Sequence, residues 1–248
     1  MFFLTNNLIL ATYLAGVYDV NRNEVLQRDN LAVIEQWAQS IVALDLRAVV
    51  FHNSLTKASI TKYTSHITFV KVQYDEKYNT NIFRYFLYHN FLKENTIAVQ
   101  NIFVTDITDV VVLQNPFIQP LFTNNANSIF CGDEPKLLQN DWMNAHSTHL
   151  RSKIKDFALY EANFKNAPLL NCGIIGGNIF IMQLFLQKLC AIHKNYNADN
   201  KTAYTGDMGA FNYLLRTQYN QNVIHGYPVN TIFKAYQTER RDCWFRHK

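Results

Sequence analysis

Residues 101–117 read NIFVTDITDVVVLQNPF, and this stretch decides the fold. Asn101–Val104 is an apolar strand that runs into Asp106 and Asp109, and a second apolar run, Val110–Leu113, follows at once. A turn or helix cap explains an isolated pair of aspartates, but apolar runs on both sides would bury their surroundings, and buried carboxylates need partners. Ligands of open parallel sheets bind at the carboxyl ends of strands. The stretch therefore predicts a strand end where two carboxylates hold a hard divalent cation.

Outward from this stretch, apolar runs of strand length alternate with amphipathic helical patterns. The spacing predicts helices over Asn30–Leu44 and Thr80–Leu92. Strands are predicted at Leu8–Ala15, Leu46–Phe51 and Ile67–Val72. This β-α-β-α order indicates the α/β class, with a mostly parallel, Rossmann-like central sheet flanked by helices.

The second half of the chain is less regular. It contains neither internal repeats nor a Gly/Ser linker, so we expect a single domain over residues 1–248. The elements predicted here are a strand at Ser128–Cys131, a turn at Gly173–Gly177, and helices at Thr148–Tyr160, Ile179–His193 and Asp207–Leu215.

Composition bounds the class of protein. A net charge of +4 over 248 residues indicates no dedicated nucleic-acid surface. The four cysteines form no CxxC pair, which favours free, buried thiols in a reducing compartment. The apolar run near the N-terminus is too short to span a membrane. We expect a cytoplasmic protein, with peripheral association at the inner face of the membrane as the alternative placement.

The Asp106–Asp109 segment, followed by Asn115-Pro116-Phe117, resembles the metal-binding motif of GT-A fold glycosyltransferases. It is most similar to retaining family 8-like and bacterial polysaccharide enzymes. The resemblance implies a GT-A type fold in which Asp106 and Asp109 hold Mn²⁺ or Mg²⁺ against the diphosphate of a UDP-sugar donor. The spacing is one residue longer than the usual Asp-x-Asp.

Further segments match the same family. The end of the first strand, with Ala15, Asp19 and Arg22, corresponds to the cradle of the uracil and ribose, although a surface loop explains these residues too. Arg84, on the helix before the aspartates, corresponds to an arginine that reaches the donor and the aspartate loop. An arginine beside an apolar helix face otherwise extends its head to solvent. The resemblance divides the chain into a nucleotide-binding half, 1–115, and a donor-sugar and acceptor half, 116–248.

Two segments of the second half resemble those that contact the donor sugar. Asn171 and Gly176 lie in LNCGIIGG, where the resemblance implies an amide and a close backbone approach to the sugar. Asp207 begins DMGAFN, and its counterpart contacts sugar hydroxyls, with helix N-capping as the alternative role. Met208 replaces the glutamine that is common at this position. The resemblance makes Asp207, Asn171 and Arg84 the residues nearest the chemistry.

The chain ends in WFRHK, a short apolar strand followed by His247 and Lys248. In the resembled family this histidine completes the metal shell and the lysine meets the diphosphate. His225 is the competing metal ligand. We expect the last two residues to contribute little buried area.

The implied activity is transfer of a hexose from a UDP-sugar to a glycan or lipid-linked glycan, such as a surface polysaccharide or lipopolysaccharide. Retention is favoured because retaining enzymes of this type need no dedicated base; Glu134 or Asp133 would serve if the enzyme inverts. A non-catalytic nucleotide- or glycan-binding module of a larger polysaccharide synthase is the other open reading.

Overall fold

A computed structural model describes residues 6–19, 23–95, 98–198 and 206–248. The strands are β1 (Asn7–Tyr13), β2 (Tyr18–Asp19), β3 (Glu24–Val25), β4 (Ala48–His52), β5 (Ile67–Lys71), β6 (Asn101–Thr105), β7 (Val110–Val112), β8 (Ile129–Leu137), β9 (Pro168–Asn178), β10 (Val223–His225) and β11 (Phe245–His247). The α-helices are α1 (Glu35–Ala43), α2 (Lys57–Ile60), α3 (Thr80–Glu94), α4 (Pro120–Thr123), α5 (Asp141–His146), α6 (Thr148–Lys153), α7 (Phe157–Phe164), α8 (Ile179–Ile192) and α9 (Asp207–Gln218). Single 3₁₀ turns lie at Leu31–Ile34, Thr61–Tyr63 and Pro116–Ile118, and a π-helical turn at His193–Asn197.

Seven strands in the described ranges form the central sheet, in the order β10-β8-β9-β6-β1-β4-β5. Strand β9 runs antiparallel to its neighbours β6 and β8, and the other pairs are parallel. The inner strands of the central sheet, such as β4, are buried along their length, because helices cover both faces of the sheet. The predicted mostly parallel, Rossmann-like α/β sheet flanked by helices is confirmed.

The alternation of side chains along β1 supplies both cores. Leu8 and Leu10 join the apolar cluster under α3, α8 and α9. Ile9 and Ala11 point to the opposite face, into the cluster that holds α1 and the aromatic residues of the C-terminal segment. The sheet therefore places the carboxyl ends of β1 and β6 beside the middle of β9, with packed layers on both sides.

Two predicted elements are wrong. Gly173–Gly177 is not a turn but part of β9, where Gly176 pairs with Phe103 and leaves room for that ring. The predicted helix at Thr148–Tyr160 is two helices, because Ile154 adopts an extended conformation and turns its buried side chain into the core. Strand β9 thus carries the glycine segment straight past the end of β6.

The chemistry of the cysteines agrees with the prediction. All four lie in described parts of the chain, and they are free and buried. None of the helices in the described residues is long and apolar enough to cross a membrane.

Candidate active site and metal centre

The structure brings Asp106, Asp109 and His247 together. The two aspartates lie in the corner between β6 and β7, and β11 pairs antiparallel with β7 so that His247 stands opposite Val110. Within the described residues, these three side chains offer ligand atoms that all lie within 4.8 Å of one another. The C-terminal strand therefore delivers an imidazole to carboxylates that are far away in sequence.

The geometry of this cluster suits a divalent cation. His247 Nε2 lies 4.0 Å from Asp106 Oδ2 and 3.9 Å from Asp109 Oδ2. The imidazole packs on the ring of Phe233 at 4.5 Å, and its backbone N–H donates to Thr231 Oγ1. Two carboxylates this close repel each other, whereas carboxylate oxygen and imidazole nitrogen together are good ligands for Mn²⁺. The donor set fits the metal implied by the sequence.

The position of His247 contradicts the prediction that the last two residues contribute little buried area. Its side chain is 2% exposed, and its backbone belongs to β11. The last residues therefore contribute buried area and strand pairing, contrary to the prediction, because β11 is folded under the segment that contains Thr231 and Phe233.

The backbone of Gly173 forms the floor of the cluster. Its carbonyl accepts from Asp106 N–H at 2.7 Å. A Cβ added at Gly173 would lie 2.5 Å from His247 Cε1 and 2.8 Å from Asp106 Oδ2. By contrast, Gly176 packs against Phe103 inside the core. Gly173 is therefore the glycine whose missing side chain allows the backbone to approach His247 and Asp106 closely.

Replacing Gly173 by Ala should lower metal affinity by roughly 100-fold, because the new methyl group must displace the imidazole or the carboxylate. Gly132→Ala is the matched control: its Cβ would meet only ordinary contacts, the nearest 3.6 Å away on Asn171. Mn²⁺ titration of both variants, with circular dichroism to verify folding, checks the expectation. Equal metal affinity in the two variants would contradict it.

Arg84 connects the metal cluster to the interior. Its guanidinium is buried, forms an ion pair with Asp106 Oδ1, and lies 3.9 Å from Asp207 Oδ2. Burial lowers the pKa of Arg84, but its neighbours, among them the negatively charged Asp106, raise it above the ordinary value. The side chain therefore stays charged and does not extend to solvent.

Asp207 lies on the other side of Arg84, at the start of α9. It is not the N-cap, since Gly206 takes that position with a left-handed φ of 72°. Its Oδ1 lies 2.9 Å from His146 Nε2, and its Oδ2 accepts from Cys172 Sγ at 3.7 Å. His146, on α5, is a contact that the sequence did not reveal.

Asn171 and Glu134 form a second polar pair, from neighbouring strands β9 and β8. The Asn171 amide donates to Glu134 Oε1 at 2.9 Å, and its Oδ1 accepts from Gly173 N–H at 2.7 Å. Glu134 is 8% exposed, with Lys136 Nζ 3.9 Å away. Asn171 thus links the floor of the metal cluster to a buried carboxylate.

Asp133 and His225 lie apart from the cluster. His225 Nδ1 is 2.9 Å from Asp133 Oδ2, and the Asp133 carbonyl accepts from Asn230. Neither Asp133 nor His225 lines the cavity around the metal cluster. His225 is therefore not brought to the aspartates, and Glu134 is the carboxylate of the two candidate bases that faces the cavity.

The end of β1 is tightly bonded. Both backbone polar groups of Ala15 are satisfied by the Asn53 side chain, each at 2.9 Å, and Ala15 is fully buried. Asp19 belongs to β2, next to Glu24 of β3. The predicted contact of Arg22 lies outside the described residues.

Lys248 closes the site on the C-terminal side. Its backbone N–H donates to the Asp109 carbonyl at 2.9 Å, and its amino group donates to Gln36. The pKa of Lys248 lies below its ordinary value, because burial and then the charge of Arg246 lower it more than Asp109 raises it.

These groups open into one cavity of about 620 Å³. This volume is typical of small-molecule sites. Its walls combine the cluster with aromatic and cationic side chains from α5 and the C-terminal segment; the lining includes Arg84, Asp106, Asp109, Glu134, Lys136, Trp142, Asn171, Gly173, Asp207, Met208, Phe233, Lys234, Tyr236, His247 and Lys248.

Comparison with known proteins identifies the architecture. No protein-family model matches the sequence, and a search of the curated proteins finds no match. Among solved structures, the galactosyltransferase LgtC in complex with donor and acceptor sugar analogs is similar, with a TM-score of 0.54 and 14% identity. The match covers 97% of this chain and 86% of that one. At this identity the similarity shows the fold alone: the chain has the GT-A type α/β fold of that galactosyltransferase.

Proposed function

We propose that the chain is a metal-dependent glycosyltransferase that moves a hexose from a UDP-sugar to a glycan acceptor. The observation that carries the proposal is the cluster of Asp106, Asp109 and His247 at the carboxyl end of β6. The similar galactosyltransferase was crystallised with donor and acceptor sugar analogs. The cavity of about 620 Å³ beside the cluster supports a small-molecule site here.

The metal site and the C-terminus would bind the diphosphate. Asp106, Asp109 and His247 hold the ion; when bound, Mn²⁺ or Mg²⁺ supplies positive charge that stabilises the departing diphosphate. Lys248, at the edge of the same cavity, adds a cationic side chain. Arg84 holds the Asp106 carboxylate in place, so that the cluster is organised before the substrate arrives.

The donor sugar would lie beside the metal cluster, against Asn171 and Asp207 of the second half of the chain. Asn171 and Asp207 line this part of the cavity and offer an amide and a carboxylate to sugar hydroxyls. Asp19 and Arg22 stay proposed contacts of the uridine. Since both backbone groups of Ala15 already bond to Asn53, its contribution is limited to packing. Residues 1–115 would thus bind most of the nucleotide, and 116–248 the sugar and acceptor, with His247 and Lys248 of the second half reaching the diphosphate.

The stereochemical outcome depends on Glu134. We propose retention, in which the departing phosphate takes the acceptor proton and Glu134 only orients Asn171. In the inverting alternative, Glu134 would be the base. Proton NMR of the freshly formed product distinguishes the two, because the coupling constant of the anomeric proton reports its configuration. The same configuration as in the donor means retention, and the opposite configuration means inversion.

The acceptor we propose is a surface polysaccharide or a lipopolysaccharide-like glycan, assembled in the cytoplasm or at the inner face of the membrane. The chain would act alone or as a part of a larger polysaccharide-assembly protein. A panel of UDP-sugars tests the donor, with hydrolysis and transfer measured separately. Tight binding without turnover would favour the alternative of a non-catalytic nucleotide- or glycan-binding module.

UDP should bind at least about tenfold more weakly in EDTA than in Mn²⁺, because without a cation two carboxylates face the diphosphate. Isothermal titration calorimetry of the same preparation in both buffers measures the difference. Uridine, which has no phosphate, is the matched control ligand and should bind equally in both. If UDP also binds equally, the metal-bridged donor site is wrong.

A further inference from the structure

Trp142 differs from the other tryptophans. The chain has three, and all lie in described residues. Trp37 and Trp244 are each 1% exposed, inside the core. Trp142 is 37% exposed and lines the same cavity as Asp207 and Met208. A large ring left open beside a polar cavity is available for a ligand.

A buried histidine holds this ring in place. His146 follows one helical turn after Trp142 on α5, and the two rings stack at 4.4 Å with an angle of 26° between their planes. His146 is itself buried, with Nε2 2.9 Å from Asp207 Oδ1. The indole is therefore fixed relative to Asp207, which gives a preorganised surface.

A continuous series of contacts leads from the metal cluster to this ring. Asp106 pairs with Arg84, Arg84 approaches Asp207, Asp207 contacts His146, and His146 stacks on Trp142. If the diphosphate lies at the cluster and the donor sugar beside Asp207, the next sugar ring outward lies at Trp142. This step rests on the proposed function.

We propose that Trp142 is the stacking surface for a hexopyranose ring of the acceptor. One side of a hexopyranose exposes C–H groups, and this apolar face packs on aromatic rings while the hydroxyls around it bond to polar groups. Glu134 and Lys136 line the same cavity and offer an acceptor and a donor for those hydroxyls. His146 acts as a positioning residue, since it holds both Trp142 and Asp207.

Acrylamide quenching of tryptophan fluorescence tests the proposal on the full chain. Acrylamide reaches Trp142, whereas Trp37 and Trp244 are shielded. The probes are methyl β-D-galactopyranoside and methyl β-D-glucopyranoside, each measured with and without UDP and Mn²⁺. We expect a saturating glycoside to lower the quenching slope about twofold or more when UDP and Mn²⁺ are present.

Trp142→Phe is the matched variant. It should remove most of the quenching and all of its response to glycoside. A second variant, Trp142→Ala, which removes the ring, should weaken glycoside binding by about tenfold. UDP affinity in Mn²⁺, measured by calorimetry on each variant, shows whether the cavity is still folded. Protection that survives in Trp142→Phe would come from another tryptophan and would overturn the proposal.

Two further results would overturn it: no protection by either glycoside, or equal protection by UDP and Mn²⁺ alone, which would place the donor at the ring. The proposed function fails by a different result, namely the absence of metal-dependent UDP binding. Because calorimetry reads UDP binding and quenching reads Trp142, the two failures are distinguishable.

Discussion

Replacing Asp109 by Asn should lower transfer by about 1,000-fold without lowering the melting temperature of the metal-free protein. Its carboxylate belongs to the cluster with Asp106 and His247, whose ligand atoms lie within 4.8 Å of one another, so neutralising it relieves repulsion from the Asp106 carboxylate when no cation is bound. With a cation, the same change removes a ligand. A loss of ~4 kcal/mol in transition-state stabilisation corresponds to that rate effect. Initial rates and thermal melting on one preparation measure both quantities.

Asp106→Asn should lose activity to a similar extent but also lose stability. Asp106 is the carboxylate paired with the buried guanidinium of Arg84, and neutralising it should lower the free energy of unfolding by about 1–3 kcal/mol. Asp45→Asn is the matched control, because Asp45 is 84% exposed and Asn tolerates its positive φ. Near-normal transfer by Asp109→Asn, or equal destabilisation by both site variants, would contradict the assignment of the two aspartates.

The parallel half of the fold could be predicted because its strands and helices differ in period. Strand β4 is apolar over its first four residues, Ala48–Phe51, and α1 and α3 bury one face. Strand β9 was missed because glycines inside an apolar run read as a turn. What keeps this strand extended is its pairing with β6 and β8, and the Phe103 ring fills the space beside Gly176, a contact that only the sheet register creates.

The site was predictable where its residues are close in sequence. Asp106 and Asp109 flank one corner, whereas His247 was assigned only through resemblance to a family. Gly173 and His146 were missed for a physical reason: each matters through a neighbour far along the chain, His247 for the glycine and Asp207 for the histidine. No local periodicity carries that information.

Changing the C-terminal residues should have the second large effect, a loss of metal-dependent UDP binding, and a substitution at His247 tests it better than a truncation. Deleting residues 247–248 removes the pairing of His247 with Val110 and the Lys248 N–H bond to Asp109, so truncation should destabilise even the ligand-free protein. His247→Leu keeps the strand and fills the buried space, and should change the free energy of unfolding by less than about 1.5 kcal/mol. It removes the imidazole nitrogen, which should weaken metal-dependent UDP binding by about 100-fold.

Thermal shift measures this loss through binding linkage. With Mn²⁺ and UDP at about 100 times the dissociation constant, the wild type should gain about 2.7 kcal/mol of stability, and His247→Leu only about 0.4 kcal/mol. Lys248→Met is the matched variant: it keeps the backbone bond to Asp109 and removes the charged amino group together with its hydrogen bond to Gln36, so it should retain an intermediate gain. An equal ligand-induced gain in His247→Leu and wild type would mean that the imidazole is not a ligand. Water would then complete the metal shell, since His225 is paired with Asp133.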